Sequence, residues 1–283
     1  MSGSMSGRIC VITGATRGIG RATAEGLAQL GATVVLVCRR QADGDAVSQT
    51  IAKGAPVKPE VVTADLSSQS SIRTAAAGIR ARYPHLHVLL NNAGIITRRR
   101  ELSVDGIEMQ FAVNHLAYFL LTLLLLDQLK AGAPARVINV TSGAHSGATI
   151  DFDDLQKERR YDPNRAYAQS KLANILFTYE LARRLAGSGV TVNCLHPGVI
   201  ATGLLADYMG VPLAGPALAR TFGATPEEGA RTSIYLASSP EVERITGQYF
   251  VNSKIRDSSR ESYDEASARR LWEVSERMTG LPS

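Results

Sequence analysis

A tyrosine and a lysine stand four positions apart in the stretch YAQSK, as Tyr167 and Lys171. If the stretch is helical, residues four apart share one face, so the phenol and the ammonium can meet. Such a pair can move a proton to or from a bound oxygen, but it can equally be a packing contact. Proton transfer requires two further features of the chain: a cofactor site and a second polar group for the same oxygen.

A glycine-rich stretch, TGATRGIG at residues 13–20, lies between a predicted strand and a predicted helix. Gly14, Gly18 and Gly20 permit a tight turn and a close approach of the backbone to a pyrophosphate. The helix that follows supplies free N–H groups and the positive end of its dipole. This succession of strand, loop and helix predicts a dinucleotide site.

The second predicted strand ends at Arg39, 19 residues after Gly20 (39 − 20), and the next carboxylate is Asp43. An NAD site places an acidic residue about 20 positions past the loop, where it accepts from the ribose 2′-hydroxyl. An arginine there suits a 2′-phosphate, because its planar fork matches phosphate geometry. With Arg17 as a second cation, the sequence predicts NADP(H) in preference to NAD(H); the alternative is a solvated pair, Arg39 and Arg40.

Short β-branched runs alternate with helical patterns along the chain, which indicates a parallel sheet covered on both faces. No Pro/Gly linker interrupts the alternation, so one domain is expected over residues 8–252. Residues 253–283 are predicted to be a polar extension of the same domain that ends in a helix. Strands are predicted at 8–14, 33–39, 61–66, 88–94, 136–142, 191–198 and 247–252, and helices at 20–31, from about 70, at about 105–130, from about 165 and near 226–238.

Composition is ordinary for a soluble globular protein, with 45% hydrophobic and 20% charged residues and a net charge of +5. The arginine clusters are short, so no nucleic-acid partner is predicted. The three cysteines are far apart, which favours a reducing compartment over disulfides or zinc. The longest apolar run, 116–126, is too short to span a membrane. The sequence therefore predicts a cytoplasmic protein without a membrane anchor. The repeated Met-Ser-Gly at the start leaves open whether residues 1–4 are an expression scar.

Four motifs occur in one family's order: the loop Thr13 to Gly20, NNAG at 91–94, Ser142, and Tyr167-x-x-x-Lys171. On these motifs the chain resembles the short-chain dehydrogenase/reductase family over about residues 8–252. The stretches NHLAYFLLT, AYAQSKLANILFTYELA, NCLHPGV and ARRLWEVSE resemble its retinol-dehydrogenase-like branch and the WW-domain oxidoreductase relatives. The resemblance implies an α/β fold: a single-domain Rossmann fold, with a doubly wound seven-stranded parallel sheet and helices on both faces.

The resemblance also implies roles for the candidate catalytic residues. Tyr167 is implied to give and take the proton, and Ser142 to hydrogen-bond the same oxygen. Lys171 is implied to bind the nicotinamide ribose and, as a cation, to lower the pKa of the tyrosine. Asn114 is implied to hold a water that links Lys171 to solvent. No metal is implied. Cofactor contacts are implied at Thr13, Gly14, Arg17, Gly18, Ile19, Gly20, Arg39, Asp65, Leu66, Asn91, Ala93, Gly94, Tyr167, Lys171, Pro197, Gly198, Ile200 and Thr202.

The predicted function is that of an NADP(H)-dependent oxidoreductase that interconverts an aldehyde or ketone and its alcohol. Negative charge grows on the carbonyl oxygen during reduction, and two donors, Ser142 and Tyr167, can be aimed at it. Residues 203–224 are mostly apolar and are expected to form a substrate lid, which favours an apolar or aromatic substrate. The same stretch can be simple packing or a subunit interface, and a homo-dimer or homo-tetramer is expected.

Three alternatives bear on this prediction. A regulatory protein could bind NADP(H) on the same fold without turnover. A hydrolase could use Ser142 with His145, although VTSGAH lacks the G-x-S-x-G elbow. Asn114 could be a structural asparagine that kinks its helix. Retinoid in particular is a weaker prediction, because retinol-dehydrogenase relatives often carry an N-terminal anchor and this first strand begins by about residue 8.

Overall fold

The fold is built on one twisted sheet, seen in a computed structural model that describes residues 5–200 and 224–281. Its strand order is β3-β2-β1-β4-β5-β6-β7-β8, and the first seven of these strands pair in parallel. Neighbouring strands reverse their sequence order on either side of β1, as in a doubly wound Rossmann sheet. The strands are β1 Ile9–Thr13, β2 Thr33–Cys38, β3 Glu60–Thr63, β4 Val88–Asn91, β5 Ala135–Val140, β6 Val190–His196, β7 Tyr249–Val251 and β8 Lys254–Arg256.

The predicted fold class is confirmed, but the predicted count of seven strands is one short. The extra strand, β8, runs antiparallel to β7 after a two-residue turn. Asn252 and Ser253 form that turn with φ of 51° and 58°. Positive φ at both central residues is what a tight hairpin turn requires, and asparagine tolerates that region better than most residues. One edge strand of the sheet, β8, therefore lies within residues 253–283, the segment predicted to be a polar extension.

Helices cover both faces of the sheet, as expected. Val11 of β1 packs into the core on one face, with helices α3, α5 and α7, and Ile12 packs into the core on the other, with α1, α2 and α8. Successive strand residues point to opposite faces, so both must be apolar here. The helices are α1 Gly18–Gln29, α2 Gln41–Ala52, α3 Gln69–Arg82, α4 Met109–Phe111, α5 Ala117–Leu124, α6 Leu126–Ala131, α7 Pro163–Arg184, α8 Pro226–Ser238 and α9 Glu265–Thr279.

The single helix predicted at about 105–130 is shorter and broken. It begins only at Met109, because the Glu108 backbone is not helical (φ −52°, ψ 130°) and its carboxylate accepts from the N–H groups of Gln110 and Phe111. A π-helical turn, Ala112–Leu116, then separates α4 from α5, and a further break separates α5 from α6. The side chain of Asn114 binds backbone outside the helix, which accounts for the local distortion.

The last helix, α9, packs against α7. Trp272 of α9 is buried, and its ring lies edge-on to Phe119 with 4.9 Å between ring centroids. The Arg184 guanidinium of α7 lies 4.1 Å from the centroid of the same indole. Within the described residues no helix is both long enough and apolar enough to cross a membrane.

The connection from α6 to β5 depends on a glycine. A side chain at Gly132 would place its Cβ against the backbone carbonyl of Leu86, which cannot move aside cheaply. We expect Gly132→Ala to lower the free energy of unfolding by at least the roughly 1–3 kcal/mol that overpacking costs. Gly78→Ala, in helix α3, is the matched control, because its Cβ would meet no neighbour. It should raise the free energy of unfolding by about 0.5–1 kcal/mol. Urea unfolding of both variants checks the prediction, and equal stabilities would contradict it.

Candidate active site

The glycine loop joins β1 to α1 in the conformation that a phosphate cradle needs. Gly14 and Gly18 have φ of 66° and 54°, a region that disfavours other residues. A Cβ on Gly14 would lie 2.9 Å from the Cα of Ala93, so the two backbones are in contact. Arg17, the N-cap of α1, makes no side-chain capping bond. The first N–H groups of this 12-residue helix are thus available to an anion.

Two side chains tie this loop to the end of β4. The Thr13 hydroxyl accepts from the backbone N–H groups of Asn92 and Ala93, at 2.9 and 3.1 Å. The Asn92 amide donates to the Thr13 carbonyl at 2.9 Å, and a Cβ on Gly20 would clash with that amide. Asn92 was missed by the sequence reasoning, although it stands inside the NNAG motif. Its neighbour Asn91, which was named, is placed elsewhere.

Asn91 lies in the sheet interior and not at the loop. Its side chain is fully buried, and its amide donates to Thr122 and to Asn139, each at 2.9 Å. The Asn139 amide in turn donates to the Thr178 hydroxyl of α7. Asn91 therefore links β4 to β5 and the helices behind them, while its backbone leads into the loop.

Tyr167 and Lys171 lie together near the N-terminal end of α7. The Lys171 Nζ is 5.5 Å from the centre of the Tyr167 ring, and both residues are buried. Nζ donates to the Val140 carbonyl at the end of β5, at 3.3 Å. Burial lowers the pKa of Lys171 to about 7. The i, i+4 pair thus meets at the carboxyl edge of the sheet, where parallel α/β folds bind ligands.

A second tyrosine, Tyr118, completes the surroundings of this lysine and was also missed by the sequence reasoning. Its ring centroid is 5.8 Å from Nζ, and its hydroxyl donates to the Ala93 carbonyl at 2.7 Å. Burial raises its pKa well above the ordinary value, so it acts as a neutral donor. The NHLAYFLL run resembles any buried apolar helix, and only the structure separates Tyr118 from its neighbours.

Ser142 follows β5 by two residues, beside the Val140 carbonyl that Lys171 contacts. Its hydroxyl oxygen accepts from the Ala144 N–H at 3.2 Å. That bond uses a lone pair and leaves the hydroxyl proton free to be donated. Ser142 is partly exposed, in contrast to the buried lysine.

Asn114 sits in the π-helical turn with its side chain fully buried. Its Oδ1 accepts from the Ile95 N–H at 2.8 Å, and its Nδ2 donates to the Ile95 carbonyl at 2.9 Å. The Asn174 amide donates to the Asn114 carbonyl at 2.8 Å. A Cβ on Gly94 would lie 3.6 Å from Oδ1 and 3.4 Å from the lysine Nζ. Asn114 therefore holds the chain after NNAG against the helix, the contact expected of a structural asparagine, and it adjoins the Lys171 pocket.

Two of the predicted cofactor contacts are exposed arginines. Arg39, at the end of β2, and Arg17 are both exposed, and neither forms an ion pair with any residue that the structure describes. The nearest carboxylate along the chain, Asp43, is held by Arg40 at 2.7 Å. Asp65 is exposed after β3, followed by the half-buried Leu66, and accepts from the N–H and hydroxyl of Ser67.

The other end of the site follows β6. Pro197 and Gly198 begin a turn in which Gly198 has φ of 95°. Ile200 and Ile19 meet at Gly229 of α8, where a Cβ would lie 2.8 and 3.2 Å from their side chains. Ile19 and Ile200 therefore pack the loop ends against α8. Thr202 and nearly all of the predicted lid at 203–224 lie outside the described residues.

The geometry of His145 argues against the hydrolase alternative. Its Nδ1 contacts the backbone carbonyl of Ser142 at 2.7 Å, and its Nε2 accepts from the Ser259 N–H at 3.1 Å. Neither nitrogen is directed at the Ser142 hydroxyl, which a general base must reach. In the described part of the chain no group of three His, Cys, Asp or Glu side chains could hold a metal ion.

Residues 8–209 match the short chain dehydrogenase family. The chain belongs to that family, and within it to the retinol-dehydrogenase-like branch. Human retinol dehydrogenase 14 is 45% identical, a match covering 99% of this chain and 88% of that protein. Human retinol dehydrogenases 11 and 13 are each 44% identical, over 98% of this chain and 87% and 86% of theirs.

Solved structures agree with this assignment. A crystal structure of a protein from Mycobacterium paratuberculosis is 36% identical, with a TM-score of 0.80, and covers 98% of this chain and 96% of its own. A short-chain dehydrogenase from Shigella flexneri, crystallised with NADP, is 25% identical with a TM-score of 0.72. It covers 90% of this chain and all of its own. The family and the site make this protein an oxidoreductase that acts on alcohols or carbonyls with a nicotinamide cofactor.

Proposed function

We propose that the protein interconverts an apolar or aromatic aldehyde or ketone and its alcohol, with NADP(H) as the cofactor. The single observation that carries the proposal is the buried pair Tyr167 and Lys171, whose lysine contacts the Val140 carbonyl two residues before Ser142, at the sheet edge that also holds the glycine loop. The bound nicotinamide would supply or accept the hydride. The glycines at 14 and 20, which leave no room for a Cβ, and the open N-terminus of α1 fit its pyrophosphate.

The side chains have distinct roles in this proposal. Tyr167 gives its phenolic proton to the substrate oxygen during reduction and takes it back during oxidation. Ser142 donates its free hydroxyl proton to the same oxygen and stabilises the charge that develops there. Lys171 lies close enough to favour ionisation of the phenol when it is cationic. Tyr118 and Asn114 hold the chain at 93–95 against the lysine pocket.

Several observations support an apolar substrate. Three relatives that are 44–45% identical to this chain are named for retinol, an apolar alcohol. Val199, an apolar residue that follows the Pro197 turn, has 57% of its surface exposed. The stretch at 203–224 remains a predicted lid because of its apolar composition. A cytoplasmic location and a homo-dimer or homo-tetramer likewise remain predictions from the sequence.

A substrate panel tests the proposal directly. Purified protein is mixed with NADPH and with alkyl aldehydes, aryl aldehydes, ketones and a small acidic keto acid, and NADPH absorbance is followed. We expect turnover with apolar carbonyls and the highest kcat/KM for the alkyl or aryl aldehydes. A clear preference for the keto acid would overturn the substrate class. Tight NADPH binding without turnover of any carbonyl or alcohol would favour the regulatory alternative.

Arg39 is expected to set the cofactor preference. Its guanidinium has no acidic partner among the described residues, whereas Asp43 is already paired with Arg40, so we expect Arg39 to be available to a 2′-phosphate. One charge-assisted hydrogen bond contributes about 1.5–3 kcal/mol, or roughly 10- to 150-fold in kcat/KM for NADPH over NADH. We expect Arg39→Asp to reverse that preference, and Arg40→Asp to change it much less. Equal use of both cofactors by the wild type would show that Arg39 is only a solvated residue.

A further inference from the structure

A short turn after β8, residues 258–263, contacts the segment that carries Ser142. This C-terminal turn includes the 3-10 helix Arg260–Tyr263 and precedes α9. The backbone N–H of Ser259 donates to the Nε2 of His145 at 3.1 Å. The same imidazole contacts the Ser142 carbonyl through Nδ1 at 2.7 Å. One histidine thus connects the C-terminal turn to the backbone of the candidate catalytic serine.

The partners determine the tautomer of His145. A carbonyl oxygen can only accept, so Nδ1 carries the proton and donates it to Ser142. A backbone N–H can only donate, so Nε2 is unprotonated and accepts from Ser259. His145 is 3% exposed, and burial lowers its pKa, which favours this neutral form. Both ring nitrogens are therefore committed to backbone partners on different segments.

The first and last residues of the C-terminal turn, Ser258 and Tyr263, contact α7, the helix that carries Tyr167. The Ser258 hydroxyl lies 2.7 Å from the hydroxyl of Tyr179, and the Tyr263 ring stacks on the Tyr179 ring at 5.5 Å. Tyr179 follows Tyr167 by 12 positions on the same helix (179 − 167). The turn consequently bridges the two separate elements from which Ser142 and Tyr167 project.

We propose that the C-terminal turn positions Ser142 relative to Tyr167, with His145 as the positioning residue that connects the turn to the serine. The proposal rests on the proposed function, because it assigns both side chains to one substrate oxygen. The two donors lie on different elements, one after β5 and one on α7, and must hold a common geometry during turnover. A misplacement of about 1 Å in such a constellation can cost 100-fold in rate. The turn adds a second link between these elements, besides the direct hydrogen bond from Lys171 of α7 to the Val140 carbonyl of β5.

Ser259→Pro tests the hydrogen bond from the Ser259 N–H to His145, because it removes this donor and changes the backbone little. Ser259 has φ of −67°, close to the value that proline imposes, so the substitution removes the donor N–H without requiring a new φ. We expect kcat to fall about tenfold or more, with the Kd for NADPH little changed. Hydrogen exchange of the amides at 143–146 should also become faster. Ser259→Ala is the matched control: it keeps the N–H and should keep both kcat and exchange near wild type.

A second variant covers the case in which Ser259→Pro does not fold. His145→Asn retains a donor in reach of the Ser142 carbonyl but is too short to accept from Ser259, so it should show the same losses in kcat and amide protection. If the folded variants keep kcat within about twofold of wild type and their exchange is unchanged, the positioning role is wrong. If the wild type turns over no carbonyl or alcohol, the proposed function fails, and exchange at 143–146 still decides whether the turn holds the Ser142 segment.

Discussion

Tyr167→Phe should abolish carbonyl reduction and leave the Kd for NADPH nearly unchanged. The substitution removes the phenolic hydroxyl and keeps the buried ring that packs beside Lys171. A group that acts only in the transition state affects kcat more than binding. The measurement is kcat with saturating NADPH and an apolar aldehyde, under conditions in which chemistry limits turnover.

The matched control for this prediction is Tyr235→Phe. It also removes a phenolic hydroxyl, one that donates to Glu241 on the protein surface, and it should retain wild-type kcat. If Tyr167→Phe kept more than about a tenth of the wild-type kcat, the hydroxyl would contribute less than roughly 1.4 kcal/mol. The assigned role of Tyr167 as proton donor would then be wrong.

Lys171→Met should abolish turnover and at the same time stabilise the cofactor-free protein. Burial lowers the lysine pKa from an ordinary 10.5 to about 7, so folding opposes its charged form. Below pH 7 the cost of keeping this cation buried is on the order of 5 kcal/mol. Methionine fills similar space without a charge. Activity is lost because no cation remains beside the phenol.

The sign of the pH dependence makes this prediction specific. Between pH 7 and 10.5 the unfolded chain binds the proton that folded Lys171 has lost, so the contribution of Lys171 to wild-type stability rises with pH over that window. The advantage of Lys171→Met should therefore be largest at pH 7 and below, and should shrink towards pH 10.5. Urea unfolding at pH 6, 8 and 9.5 measures it, with the exposed Lys130→Met as control. A constant difference across these pH values would mean that the folded lysine keeps its ordinary pKa.

Local patterns in the sequence were sufficient for the fold class and the main motifs. The seven predicted strands correspond to β1 to β7 and alternate with helices. The helix predicted near 226–238 is α8, Pro226–Ser238. Its proline at the first position and its Thr225 capping box are short-range signals that need no tertiary context. The proximity of Tyr167 and Lys171 follows from helix geometry alone, since four residues complete about one turn.

The direction of some polar side chains depended on where their strand ends, and their pairing depended on which partners lie within reach. Asn91 and Asn92 are chemically identical neighbours, and only the end of β4 decides that Asn91 points into the core while Asn92 binds the loop. Similarly, only the structure distinguishes the two arginines after β2. Arg40 has Asp43 within reach on the first turn of α2, and Arg39 does not.

Long-range contacts account for what the sequence could not predict. The π-helical turn at Asn114 arises because its side chain binds Ile95, 19 positions away in the chain, in place of a continuous helix. The bond between His145 and Ser259 joins residues 114 positions apart. Periodicity and motif spacing report the neighbours of a residue along one element. A polar contact between distant elements has no such periodic signal, because its geometry is set only when the sheet and helices have packed.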